Sequence, residues 1–259
     1  MIKSELDIEA IAIDFERSEE AGVPYPPAWF DRLSMDDASL VQLALLERKK
    51  QRGEVHAGWK VGLTAEAIQQ QFNVHEPLFG YLLSRGLIHS GTQLAHTSLV
   101  GPGIENEICM RLGSDLVGSE VTAAEAAEAI VEIHPALELI ETRGDFRAQL
   151  AVSVADNIQQ SGFVIGDAFA VTPDFDLRQV TARVMINDIE VASGSAAAVL
   201  GNPINSLVWL SRKLSEVGRG LKQGDYVMSG SLTRQFELQP GDHVRTEFDP
   251  IGAVELTLT

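Results

Sequence analysis

The chain has 259 residues, 45% hydrophobic and 22% charged, with a formal net charge of −17. That length supports a substantial core in one large unit, while the acidic surface repels nucleic acid and anionic membranes and removes both as expected partners. The lone cysteine, Cys109, excludes an internal disulfide, and no apolar run approaches the ~18 residues of a membrane-spanning helix; with no apolar signal region in Met1 to Asp7, a cytoplasmic location is expected.

The first fifty-odd residues read as helical. Leu6, Ile8, Ile11, Ile13 and Phe15 punctuate a first segment that Pro24, Pro26 and Pro27 break. A second helix runs from about Ser34 to Arg52, with Leu40, Leu43, Ala44 and Leu46 on or near one face. Its last turn carries Arg48, Lys49 and Lys50, cations that complement the helix dipole. After Gly53 the pattern changes to short strands and turns. Thr122 and Glu125 form a capping box that predicts a helix to about Ile133. Residues 180–186 and 189–193 read as a hairpin around Asn187-Asp188. Asn202 and Pro203 open a helix that stops at Gly218. The last forty residues read as strands and turns, with Gly224-Asp225 and Gly241-Asp242 each opening a strand. The predicted organisation is an N-terminal helical part, residues 1–55, and a mixed α+β body, residues 56–259, in one compact unit.

Within Gly101 to Met110, Glu105 and Glu107 stand two residues apart. In a strand they share one face with Cys109, about 6.6 Å apart at the strand's rise per residue. A half-exposed strand with two solvated glutamates gives the same pattern. Glu138 adds weight to the site reading, because it interrupts the apolar run from Pro135 to Ile140. A carboxylate buried there needs a cation or a strong hydrogen-bond partner. Three carboxylates around one point suit magnesium or manganese, which take oxygen ligands.

Lys60 lies inside the apolar run Gly58 to Thr64. It reads either as a cation for a substrate carboxylate or enolate, or as an edge-strand lysine in water. His75 and Glu76 precede Pro77 and read either as an acid–base pair or as a polar loop over Leu78 and Phe79. Asp156 and Asn157 can support a neighbouring ligand or cap a helix. Ser193-Gly194-Ser195 and Ser229-Gly230-Ser231 are small-residue turns able to bring backbone N–H groups to an anion. There is no nucleophile elbow, phosphate loop or dinucleotide fingerprint.

In this order, the segments Gly58 to Thr64, Glu105 to Glu107, Pro135 to Glu138, Val154 to Asn157, Ala198 to Pro203 and Ser229 to Thr233 resemble the 2-keto-4-pentenoate hydratase group of the fumarylacetoacetate hydrolase superfamily. The resemblance runs from about residue 37 to the end. It implies a mixed β-sheet roll with an N-terminal helical part. It also implies magnesium or manganese held by Glu105, Glu107 and Glu138, with Lys60 as the active-site lysine. Leu78, Asp156, Asn157, Ser231 and Thr233 are then the expected substrate-binding residues. The implied substrate is a small 2-oxo acid of aromatic catabolism, and the implied assembly is a homo-oligomer built on dimers, with a pathway enzyme as a further partner.

The resemblance also sets out the chemical alternatives. A divalent cation acts as a Lewis acid towards the carboxylate and keto oxygens of a 2-oxo acid. The same site then serves hydration, decarboxylation or carbon–carbon hydrolysis. Hydratases of this group usually carry an aspartate at the position of Leu78, where related 4-oxalocrotonate decarboxylases have an apolar residue. Residues 196–200 look decarboxylase-like, whereas residues 208–210 and 230–233 look hydratase-like. His75 and Glu76 are the expected replacements for the missing acid/base group, as part of a lid. A metal-dependent hydratase is the primary expectation, a decarboxylase or hydrolase the alternative, and a silent binding subunit the third.

Overall fold

The computed structural model describes residues 4–23, 25–172 and 174–259, so Pro24, one of the expected helix breakers, lies outside them. Helices α1 (Ile8–Glu20) and α2 (Met35–Gln51) open the chain. Ser34 caps α2 through a capping box with Asp37. The basic last turn of α2 does more than complement the dipole. Arg48 and Arg52 both reach the buried Glu16 of α1 at 2.6 Å, and Lys49 pairs with Glu19. Apolar residues leave α2 on two sides. Leu43 and Leu46 enter the main core, while Ala38, Val41 and Leu45 enter a second cluster with Ile11 and Phe15.

The body follows as β1 (His56–Gly62), α3 (Glu66–Phe72), β2 (Leu78–Leu83), β3 (Leu87–His89) and β4 (Thr92–Leu94). Then come β5 (Pro102–Leu112), α4 (Ala123–Ala129), β6 (Ile130–Glu141), α5 (Leu150–Ala155), β7 (Gln160–Ile165) and β8 (Phe169–Ala170). The hairpin of β9 (Thr181–Ile186) and β10 (Ile189–Ser195) precedes α6 (Ile204–Glu216), and β11 (Tyr226–Ser231), β12 (Phe236–Glu237), β13 (His243–Asp249) and β14 (Gly252–Leu258) complete the chain. The hairpin and α6 lie where the sequence pattern puts them. The helix expected to reach Ile133 instead ends at Ala129, because Ile130, Val131 and Ile133 are β-branched and enter β6, where Ile133 pairs with Met110. The helix α3 was not expected.

Among the described residues, one sheet runs β2-β1-β11-β5-β6-β7-β3 and a second runs β10-β9-β13-β14-β4. The first sheet curls: β2, an edge strand, lies against β7 near the opposite edge and against the turn that leads into β7. This is the expected roll. Its outward face carries Trp59, Val61, Ile104, Ile108, Leu137 and Val227, which build the main core with the second sheet and α6. Its inward face carries a small apolar plug of Leu82, Cys109, Ala136, Phe163, Ile165 and Met228.

Candidate active site

Strand register puts the functional side chains on the inward face. Lys60 lies opposite Gly80 of β2 and Met228 of β11, and Met228 in turn lies opposite Cys109 of β5. Directly opposed residues share a face, so Lys60 joins the Glu105, Glu107 and Cys109 row. Glu138 of β6 stands opposite Glu105. Carboxylate oxygens of Glu105, Glu107 and Glu138 lie within 4.8 Å of one another. The cluster sits just above the apolar plug, where Glu105 and Gly62 keep partial exposure.

The electrostatics of this cluster favour a cation. Glu107 and Glu138 are fully buried and Lys60 is 3% exposed. Lys60 Nζ lies 3.0 Å from Glu138 Oε1, as an ion pair without the alignment of a hydrogen bond. Gly230 donates its backbone N–H to Glu107 Oε2 at 2.8 Å. The remaining oxygen of Glu107 and both oxygens of Glu138 are buried without a hydrogen-bond partner among the described residues. At such separations each carboxylate pair repels by about 3–4 kcal/mol for an effective dielectric near 20. Burial, with Glu138's charge added, pushes Glu105 up to about 7. Glu107 rises well above the usual range for the same reasons, although the Gly230 N–H opposes this. Three carboxylates and one ammonium leave a charge of −2, which one divalent cation neutralises. Its oxygen donors are the buried atoms that have no partner, so these residues fit a hard cation.

The other expected site residues fall into two groups. Leu78 lies opposite Gly62, on the same face as Lys60, and packs with Val152, Val154 and Ile158. Ser231 lies opposite Glu107, and its hydroxyl donates to the backbone oxygen of Asn106 at 3.4 Å. Asn157 approaches Lys60 across Gly80. Thr233, by contrast, bonds Asn106, whose side chain leaves the opposite face of β5. Asp156 turns away to Arg143, with Nε at 2.6 Å from its carboxylate, and burial still raises it to about 6. It follows α5 and caps no helix with its side chain. His75 and Glu76 lie exposed between α3 and β2. Glu76 accepts from Lys213 Nζ at 2.7 Å and from Trp209 Nε1 at 3.4 Å, both on α6. Neither residue contacts Lys60 or the three glutamates. His75, Glu76, Leu78, Val154 and Lys213 line a cleft of about 400 Å³ beside this loop.

One contributor was legible in the sequence only as a small-residue turn, and a second left almost no trace there. Gly230 adopts φ +108°, and a Cβ there would lie 2.5 Å from Thr64 Cγ2, so only glycine lets this N–H reach Glu107. The Ser229-Gly230-Ser231 turn was its visible signal, although the anion it meets is a protein carboxylate. Gln42, buried in α2, donates to the carbonyl oxygens of Phe79 and Val154 and so covers part of the free edge of β2. A glutamine on the core side of a helix was its only trace.

Residues 50–259 match the family model for the C-terminal region of fumarylacetoacetate hydrolase. A 2-keto-4-pentenoate hydratase of Paraburkholderia xenovorans is 31% identical over 249 residues, 95% of this chain and 93% of that protein. A 4-oxalocrotonate decarboxylase of a Pseudomonas species is 32% identical over 230 residues, 88% of this chain and 89% of its own. Among solved structures, the 4-oxalocrotonate decarboxylase of Pseudomonas putida, complexed with magnesium and adipate, superposes with a TM-score of 0.92. It shares 28% identity and covers 99% of this chain and 100% of its own.

Proposed function

Because the chain belongs to the fumarylacetoacetate hydrolase family, we propose that it is a divalent-metal-dependent lyase that adds water to a short 2-hydroxydienoate or unsaturated 2-oxo acid. The observation that carries this reading is the set of partnerless buried oxygens on Glu107 and Glu138 beside Lys60. Glu105, Glu107 and Glu138 would hold magnesium or manganese, as the magnesium in the superposed decarboxylase supports. When bound, the cation supplies Lewis-acid stabilisation of negative charge on the 2-oxo acid.

The chain's own residues supply the rest. Lys60 places a fixed positive charge where an enolate oxygen develops, in a site whose apolar floor excludes water. Gly230 holds Glu107 in one orientation. Leu78 and Val154 give the distal end of the substrate an apolar wall. We assign the distal proton transfer to the 75–76 loop, with His75 as the member that has no side-chain partner among the described residues, because Glu76 is held by Lys213.

Decarboxylation of an oxalocrotonate-type substrate is the second reading. It is favoured by Leu78, an apolar side chain facing the strand row of Lys60, which activates no water. The deciding experiment incubates the purified chain with Mg²⁺ or Mn²⁺ and either 2-hydroxypenta-2,4-dienoate or 4-oxalocrotonate. Metal-dependent loss of dienoate absorbance without carbon dioxide supports hydration. Carbon dioxide release from the second substrate alone supports decarboxylation. No turnover of either substrate refutes both. We further propose a homo-oligomer, which light scattering at the 28.1 kDa monomer mass would refute.

A further inference from the structure

The roll is closed at β2 by a side chain. Tyr81 donates its N–H to Asn157 Oδ1 at 2.8 Å, and Asn157 Nδ2 donates to the Tyr81 carbonyl at 2.9 Å. The carboxamide thus offers the free edge of β2 the donor and acceptor that a neighbouring strand would give. Asn157, Ile158 and Gln159 all take left-handed φ values, 59°, 53° and 58°, and lead directly into β7. Such a run in residues other than glycine is costly and persists where the surroundings enforce it. Two anchors enforce it here: Tyr81 at one end and Gln159, bonded to Tyr25 and Gly144, at the other.

Next to Tyr81 lies Gly80, and the space around it is filled. A Cβ at Gly80 would lie 3.0 Å from Asn157 Oδ1, 3.1 Å from Lys60 Cε and 3.2 Å from Lys60 Cγ. The lysine stem therefore rests on bare backbone, and Asn157, bonded to the free edge of β2 at Tyr81, borders the same space. From there the ammonium reaches Glu138. Lys60 has no other charged partner among the described residues, so its aim is set by this stacked support.

We infer that Asn157 is a positioning residue for Lys60: it pins β2 at Tyr81 so that Gly80 supports the lysine stem and directs the amine to the carboxylate cluster. The inference takes the role of Lys60 from the function proposed above. With its carboxamide oxygen and nitrogen both engaged by Tyr81, Asn157 acts through the lysine.

The test joins a kinetic arm to a structural one. Asn157→Ala removes the hold on β2 at Tyr81, and Gly80→Ala puts a methyl group against the lysine stem. Each should lower kcat by about 10–100-fold, with KM within threefold of the parent and no recovery at saturating metal. Asn157→Asp keeps the acceptor for Tyr81 N–H but faces the Tyr81 carbonyl with an oxygen, so it should fall between the parent and Asn157→Ala. In a Lys60→Met background, Asn157→Ala should add less than a twofold further loss. Crystal structures of the parent and of Asn157→Ala should show the Lys60–Glu138 contact broken in the variant. A full additional loss in the Lys60→Met background, or a lysine amine that has not moved, overturns the inference. Were the parent inactive on every substrate tried, the proposed reaction would fall, and the crystallographic comparison would still decide whether Asn157 places the lysine.

Discussion

Glu105 and Glu138 stand directly opposite each other on adjacent antiparallel strands, β5 and β6. Like charges in that relation destabilise a sheet. The arrangement makes structural sense when a cation joins them, and a stability penalty is expected in the metal-free protein.

Removing one carboxylate should therefore have opposite effects with and without metal. Glu107→Gln keeps an acceptor for Gly230 N–H but relieves repulsion, so the metal-free melting temperature should rise. The same variant should lose most of the stabilisation that millimolar Mg²⁺ gives the parent, which is about 2.7 kcal/mol at a hundredfold excess over Kd. Glu138→Gln should also lose the metal response, and it additionally leaves Lys60 without its charged partner. Glu141→Gln, whose carboxylate bonds Arg143 and the Val100 N–H, should keep the full response. Thermal melts in EDTA and in Mg²⁺ measure all three, and a normal Mg²⁺ shift in Glu138→Gln would remove that residue from the ligand set.

Lys60→Met should lower turnover by roughly 10²–10³-fold, the size of the loss when one preorganised charge or donor is removed. Methionine has a similar length and suits the packed stem position, so the metal-loaded melting temperature should change little. A large fall in melting temperature with near-normal turnover would make the lysine structural.

The loop of His75 and Glu76 gives a third outcome. His75→Ala and Glu76→Gln should each reduce turnover about tenfold or more while leaving metal affinity unchanged. Lys213→Met frees Glu76 from its ion pair and should alter the rate without a change in metal affinity. Parental dienoate hydration in both loop variants would exclude the loop from proton transfer.

Acid stability should depend on His56. Burial, reinforced by Lys50 and Arg219, lowers it to about 4, and its ring packs edge-on against Trp59 at 4.8 Å. An unfolded histidine titrates near 6.5, so the unfolded chain binds more protons between those values. The stability His56 contributes is complete above pH 6.5 and is lost as pH falls through 4, up to about 3 kcal/mol in all. His56→Phe should flatten this part of the curve, as measured by urea unfolding at pH 7 and pH 4.5. An unchanged slope would assign it to the carboxylates instead.

The site was legible where strand periodicity carries it. Two-residue spacing placed Glu105 and Glu107 on one face, and an interrupted apolar run exposed Glu138 and Lys60. Neither signal depends on distant contacts. The capping box at Thr122 marked where a helix starts, but its end was set by strand pairing of Ile133 with Met110, which no local window contains. Asp156 was expected at the site because it lies in the segment Val154 to Asn157 that carries the family resemblance. Its partner, Arg143, lies thirteen residues earlier in a loop and draws its carboxylate the other way. The support of Lys60 by Gly80 and Asn157 was illegible for the same reason: it exists only once the sheet has curled and β2 meets the turn before β7.

Three glycines line the ground around the carboxylates, and they differ in what they permit. Gly230 is closed to a side chain by its φ of +108° and by Thr64, a Cβ at Gly80 would press on Asn157 and the Lys60 stem at 3.0–3.2 Å, and a methyl group at Gly62 would meet only Lys60 Nζ, at 3.7 Å. Of the three positions, Gly62 alone leaves open space beside the lysine amine. Selection or engineering can therefore tighten the chamber at one address: Gly62→Ala would trim the set of acceptable substrates toward the smallest, while leaving the backbone route around them intact.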